Sequence, residues 1–308
     1  MSTTACVRAT DHELEYRGFR FVARTATTGA SATEPLVIIG GSSQYRHSWM
    51  RYERQLLEHT SMVTLDLPGY GDSDHLPAEH GPDFLVGAVH HTIGALSLGP
   101  VNLFGGCFGS PIALRLAHDH PRAVRRLMLT ALTAELTPEA VARVHHWSRM
   151  WDAGQFGELA DAMVGEFMSP AHLPVKRRRI VERHMRHTMA TRDQRALAQD
   201  FTHRERLLAH SWHLTHPTVT APALLIAGEH DTFTPPARGR EVARAIGGRF
   251  TTVKEADHLL HLERDTELAD LMVHFFTDRP LDSLPYLNPV EHPGAASAVH
   301  RSSTRTGG

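Results

Sequence analysis

The residues with the clearest chemical meaning lie together at Gly105-Gly106-Cys107-Phe108-Gly109, a Gly-x-Cys-x-Gly set. It falls between a predicted strand, Val101 to Phe104, and a predicted helix, Ser110 to His118. A tight strand-to-helix turn presents such a cysteine clear of the sheet, with its Cβ where only glycine neighbours leave room. A sulfur placed at a helix N-terminus meets the helix dipole and unpaired backbone N–H groups, which favour thiolate over thiol. That is the chemistry of a nucleophile or of a base. The other cysteine, Cys6, cannot join it in a disulfide framework, which suits a reducing compartment. The 24 histidines include the pairs His90/His91, His145/His146 and His184/His187. None forms His-Glu-x-x-His and no cysteine cluster accompanies them, so no metal and no cofactor is expected.

A reactive turn needs a rigid sheet beneath it. With 308 residues, 41% of them apolar, the chain is long enough to bury a substantial core. Leu36 to Ile39 and Met62 to Leu67 are continuous apolar runs that stop at Gly40-Gly41 and Pro68-Gly69, as strands buried on both faces do. Two short runs around Arg17-Gly18 predict an N-terminal hairpin. Helix Phe84 to Leu96 and strand Arg126 to Thr130 continue a strand and helix alternation. It resumes downstream with Ala223 to Ala227, Pro236 to Ile246, Phe250 to Val253 and Leu262 to Phe276. The pattern predicts an α/β fold with a mostly parallel central sheet flanked by helices. The formal net charge of −2 offers no field for nucleic acid. The chain has no run of apolar residues of membrane-spanning length and no signal-peptide pattern, so no membrane partner and a cytoplasmic location are expected.

Residues 134–216 break the alternation, with helical periodicity and stops at Pro138, Gly154, Pro170 and Pro174. They are expected to form an inserted helical cap on a core of residues 1–133 and 217–278. Residues 279–308, rich in Pro, Ser, Thr and Gly, are expected to be a loose tail. The run Lys176-Arg177-Arg178-Arg179 reads first as a solvated helix face and second as a docking patch for an acidic carrier protein.

Together these features resemble the α/β-hydrolase fold superfamily, from about Glu13 to Phe276. The segment Leu65-Asp66-Leu67-Pro68-Gly69-Tyr70-Gly71-Asp72-Ser73 is similar to the family's turn after the fourth strand, a structural landmark. The family order of nucleophile, acid and histidine implies a triad of Cys107, Asp231 and His258. Asp231 ends Ile226-Ala227-Gly228-Glu229-His230-Asp231, and His258 lies in Ala256-Asp257-His258-Leu259-Leu260-His261. The resemblance also implies an oxyanion hole built from the backbone N–H groups of Phe108 and of Ser42, in Gly40-Gly41-Ser42. Gly40 stands where many members carry histidine, so another group must rigidify that loop. Gly41, Trp147, Trp151 and His261 are the expected pocket residues.

Most members of the superfamily use serine; cysteine at the elbow resembles dienelactone hydrolases and polyhydroxyalkanoate synthases. The cap layout is similar to that of acyltransferases that assemble hydroxyalkanoyl lipid tails. The implied reaction is cleavage or transfer of the acyl group of a small, largely apolar and uncharged ester, lactone or thioester, free or borne on a carrier protein, in polyketide-type bacterial metabolism. Two rivals stand beside it. One is a lyase eliminating an acyloxy group from a tetronate-like intermediate; the other is a ligand-binding relative without chemistry.

Overall fold

The computed structural model describes residues 6–29, 31–132 and 137–294. Eight strands form one sheet in the order β1-β2-β4-β3-β5-β6-β7-β8. The hairpin β1 (Arg8–Tyr16) and β2 (Phe19–Thr27) turns at Arg17 and Gly18, both at positive φ, which matches the twist of a two-residue hairpin. β2 pairs antiparallel with β4 (Met62–Asp66). From there β3 (Leu36–Ile39), β5 (Val101–Gly106), β6 (Val124–Thr130), β7 (Ala223–Gly228) and β8 (Arg249–Val253) run parallel.

The alternation of side chains along these strands divides the core in two. Val37, Ile39, Leu103 and Leu225 point to one face, under α2 (Pro82–Ala95), α3 (Gly109–Asp119) and α8 (Pro236–Ile246). Leu36, Ile38, Phe104, Leu224 and Ile226 point to the other, under α1 (Met50–Leu56) and α10 (Asp265–Phe276). Helix α1 has no counterpart in the sequence reading. Only Tyr52 and Leu56 of its seven residues are buried, too few for a periodic signal.

Between β6 and β7 lie α4 (Pro138–Asp152), α5 (Phe156–Phe167), α6 (Arg178–Ala190) and α7 (Gln194–Ala209). The expected cap boundary at residues 133 and 134 lies outside the described residues. Helix α7 is anchored to the turn after β4 by Arg206, which is wholly buried. Its guanidinium donates to the carbonyls of Leu76 and His80 and to the Tyr70 hydroxyl, so the charge is solvated by fixed dipoles instead of water. The basic run at 176–179 is largely committed. Lys176 pairs with Glu255 at 3.2 Å, Arg177 with Asp265 at 2.6 Å, and Arg178 donates to the Ser169 carbonyl at 2.8 Å.

Residues 279–294 correct the expectation of a loose tail. Leu281, Leu284 and Leu287 are buried in the second core, with bridges from Leu287 to Val253 and from Glu291 to Phe250. The reason is the open edge of β8, which needs backbone partners and hydrocarbon cover. Residues 295–308 lie outside the described residues. Leu281→Ala is therefore expected to destabilise the fold by about 2–4 kcal/mol, read as a lowered denaturant midpoint at unchanged slope; a truly loose tail would give no change.

Candidate active site

Cys107 follows β5 with φ of 48°, a left-handed conformation that is strained for a side-chain-bearing residue. The surrounding contacts hold it there. Its N–H donates to the Thr130 carbonyl at 3.0 Å. Ser110 donates its hydroxyl to the carbonyls of Gly105 and Thr130, at 2.8 and 2.6 Å. The flanking glycines are required by space. A Cβ on Gly105 would come within 2.8 Å of Ala113 and of the Gly109 carbonyl, and one on Gly109 would overlap the Ile39 carbonyl. The strand, α3 and β3 can close on the elbow only because these side chains are missing.

His258 and Asp231 come from the ends of β8 and β7. His258 Nδ1 lies 3.0 Å from Asp231 Oδ2, and both side chains are almost fully buried. Thr234 holds the carboxylate in place, donating its N–H to Oδ1 at 2.8 Å and its hydroxyl to Oδ2 at 2.6 Å. Sequence reasoning passed over Thr234, although Asp-x-x-Thr after a strand is a local turn signature. The imidazole is stacked on Phe167 at 5.1 Å and met edge-on by Phe233 at 4.7 Å. With Nδ1 turned to Asp231, Nε2 is the ring nitrogen left to face Cys107. Burial pulls the His258 pKa down; Asp231 and Cys107 outweigh it and hold the pKa well above the usual histidine range.

The loop carrying Gly41 and Ser42 lies against this sulfur. A Cβ at Gly41 would be 3.6 Å from that of Cys107. Gln44 provides the rigidity that a histidine at position 40 would give, accepting from the Gly41 N–H at 2.9 Å and bonding His261 Nε2 at 2.8 Å. Burial and the neighbouring His258 drop the His261 pKa to about 3. Its ring is therefore neutral and Nε2 accepts from the Gln44 amide. His261 thus props, through Gln44, the loop that carries Gly41 and Ser42, as well as lining a pocket. Gln44 carried no motif by which sequence could flag it.

Beneath the histidine loop is a second acidic group. Asp257 is wholly buried; it accepts from the His258 N–H at 3.0 Å and from the Ser169 N–H, and it lies 4.0 Å from Arg178. Ser169 follows α5, whose Phe167 stacks on the imidazole, so one carboxylate ties this segment to the histidine's backbone.

Two chambers open on either side of Cys107. The larger, about 220 Å³, is walled by Ser42, Phe108, Trp147, Trp151, Leu159 and Phe233 among others. The smaller, about 180 Å³, is walled by Gly41, Gln44, Met185, His258, His261 and Leu262 among others. All the pocket residues expected from sequence line one or the other, with both tryptophans in the larger. Arg143, Arg192, Asp200 and Arg204 also face the larger chamber, brought there by α4, α7 and the connection before α7. Among the described residues no cluster of three metal-ligating side chains is present, and no helix is long and apolar enough to cross a membrane.

Residues 34–265 match the family described as alpha/beta hydrolase fold. The chain belongs to that family. A pimeloyl-[acyl-carrier protein] methyl ester esterase of Neisseria meningitidis is 26% identical over 259 residues, covering 79% of this chain and 93% of the esterase. An (R)-3-hydroxydecanoyl-ACP:CoA transacylase of Pseudomonas aeruginosa is 24% identical over 275 residues, covering 85% and 87%. Among solved structures, an α/β hydrolase from a Medee basin deep-sea metagenome library superposes with a TM-score of 0.77 at 17% identity, over 88% of this chain and 99% of that one. At that identity the likeness concerns the fold alone.

One titration follows from the packing under the histidine loop. Burial pushes the carboxyl of Glu263 up to about 8, against the hydrogen bond from the Asp257 N–H, while the ordinary value is 4.5. The folded protein thus keeps a proton that the unfolded chain releases. The stability from this group is complete below pH 4.5 and is lost as pH rises through 8. Glu263→Gln is expected to flatten the fall in melting temperature between about pH 5 and pH 8, measured by calorimetry; an unchanged slope would refute it.

Proposed function

We propose that this protein is an acyl-transferring or acyl-hydrolysing enzyme in which Cys107 is the nucleophile, His258 the acid and base, and Asp231 the group that orients and neutralises His258. The observation that carries the reading is the position of the strained Cys107 at the meeting point of two chambers, beside the buried His258–Asp231 pair. A group on each side of one sulfur is what cleavage of an acyl bond requires: one chamber for the acyl portion, one for the leaving group or acceptor.

In this mechanism His258 takes the thiol proton, and the imidazolium that forms is held by Asp231. The thiolate adds to the substrate carbonyl. The N–H groups of Ser42 and Phe108 receive the oxyanion, and removing one such donor typically costs about 3 kcal/mol of the barrier. His258 then returns its proton to the departing alcohol or thiol, leaving a thioester on Cys107. Water or a second acceptor, deprotonated by the same imidazole, releases the acyl group. The two acyl-carrier relatives favour a thioester or ester presented on a carrier protein.

Incubation with an activated acyl ester should add one acyl mass to the intact protein at Cys107 and none to Cys107→Ala. His258→Ala should slow that acylation by about a hundredfold or more. Full turnover by either variant would remove the triad. Oxygen-18 water separates the outcomes after acylation: label in the released acid means hydrolysis, and an unlabelled acyl group on an added thiol or alcohol means acyl exchange. An unlabelled acid with an alkene product and no adduct means that Cys107 and His258 act only as a base and that the protein is an eliminating lyase. Saturable ligand protection with no product means a binding protein. Gln44→Ala, which frees the Gly41 loop, is expected to lower kcat about tenfold with little change in KM, by steady-state kinetics.

A further inference from the structure

The larger chamber carries more hydrogen-bond donors than its own residues can satisfy. Arg143 is matched by Glu166 at 2.9 Å and rests on the Phe233 ring. Arg192 forms an ion pair with Asp200 at 3.0 Å, although its Nε has no aligned acceptor, and donates to the Ser43 hydroxyl at 2.6 Å. Arg204 has no such partner. Its Nε and Nη2 are shut off from solvent without an acceptor, and Asp152, Asp200 and Glu205 reach it only through their charge. The Trp151 ring, 4.5 Å from its guanidinium carbon, fixes its plane. Trp212 lines the same chamber, and its indole Nε1 is also buried without an acceptor. Asp200 is the one carboxylate lining the chamber among the described residues, and it is already taken by Arg192.

A buried donor without a partner is costly, and a guanidinium more so than an indole. Such a debt persists where a ligand removes it. We propose that Arg204 and Trp212 form a subsite for a planar, singly charged oxygen anion on the substrate, a carboxylate or an equivalent enolate, at the end remote from the carbonyl that meets Cys107. One uncommitted guanidinium suits one negative charge, and its flat fork fits a carboxylate better than a tetrahedral dianion. Trp147, Leu159 and Phe167 add hydrocarbon to the same lining. The substrate class is therefore an acyl compound that carries apolar bulk and an acidic group away from the reacting carbonyl. This deepens the acyl-transfer reading and rests on it for the position of the scissile carbonyl.

The test compares two ligands that differ by one charge. Monomethyl suberate and dimethyl suberate are titrated calorimetrically into the Cys107→Ala protein, where no turnover intervenes. The monoanion is expected to bind about tenfold more tightly or better. Arg204→Gln in the same background should bring the two affinities to within about twofold, and Arg204→Lys should keep part of the preference because the charge remains. Trp212→Phe should weaken the monoanion more than the diester. Equal affinities before substitution, no measurable binding of the monoanion, or a preference that survives Arg204→Gln would each overturn the subsite. Failure of Cys107 to acylate would instead strike the catalytic reading and leave this comparison intact.

Discussion

A buried charge network dictates how this site is built. His258 and Asp231 sit 3.0 Å apart with almost no contact with water, and the ring is enclosed by Phe167 and Phe233. An isolated carboxylate in that place would be driven to protonate, and an isolated imidazole would stay neutral. Together, and with Thr234 donating twice to the carboxylate, each keeps the other in its working state. The aromatic walls strengthen the pair, because a low local dielectric magnifies attraction between fixed partners as much as it penalises a lone charge. Everything else in the site has to keep that arrangement closed while leaving the Cys107 side open.

The helices between β6 and β7 do more than roof the pocket. Phe167 is a stacking surface for His258, and the residue two positions on, Ser169, donates its backbone N–H to Asp257, which in turn accepts from the N–H of His258. Ring and backbone of the histidine are thus both referred to the end of α5. A shift of that helix would move the stacking face and the hydrogen-bond frame together, so pocket shape and the placement of the imidazole are not independent variables here. On the other side, the chain from His261 through Gln44 to Gly41 links the histidine loop to the loop that carries Gly41 and Ser42. Both loops therefore report to one short stretch of chain, residues 257–261.

This dependence explains which parts were legible in the sequence. Strands such as Leu36–Ile39 and Ala223–Gly228 announce themselves because burial on both faces demands unbroken hydrocarbon. The elbow is legible because its glycines are excluded-volume requirements, and a requirement of that kind leaves a fixed pattern. Gln44 and Asp257 are different. Each acts through a partner distant in sequence or through backbone atoms, and amide or carboxylate groups of those types occur throughout the chain. The tail failed for a related reason: Leu281, Leu284 and Leu287 are meaningful only against an open strand edge, and prolines hide their spacing. Arg204 looked like one arginine among many until the packing of α7 placed it against Trp151.

The proposed use of sulfur at the elbow gains its meaning from the smaller chamber beside Cys107, where little of the lining invites water. A thioester is the more electrophilic acyl-enzyme, yet its fate depends on which acceptor reaches it first. Water enters a small apolar chamber reluctantly, because it would leave bulk hydrogen bonds for walls that return few. In the smaller chamber the polar groups near the sulfur, Gln44 and His261, are already bonded to each other and hold little for a stray water. An acceptor with apolar bulk of its own displaces nothing valuable and is oriented by the walls it fills. The same geometry that protects the charged histidine pair from solvent thereby tilts a proposed acyl-Cys107 toward organic acceptors. Any water that does attack must come to the one place where imidazole can deprotonate it.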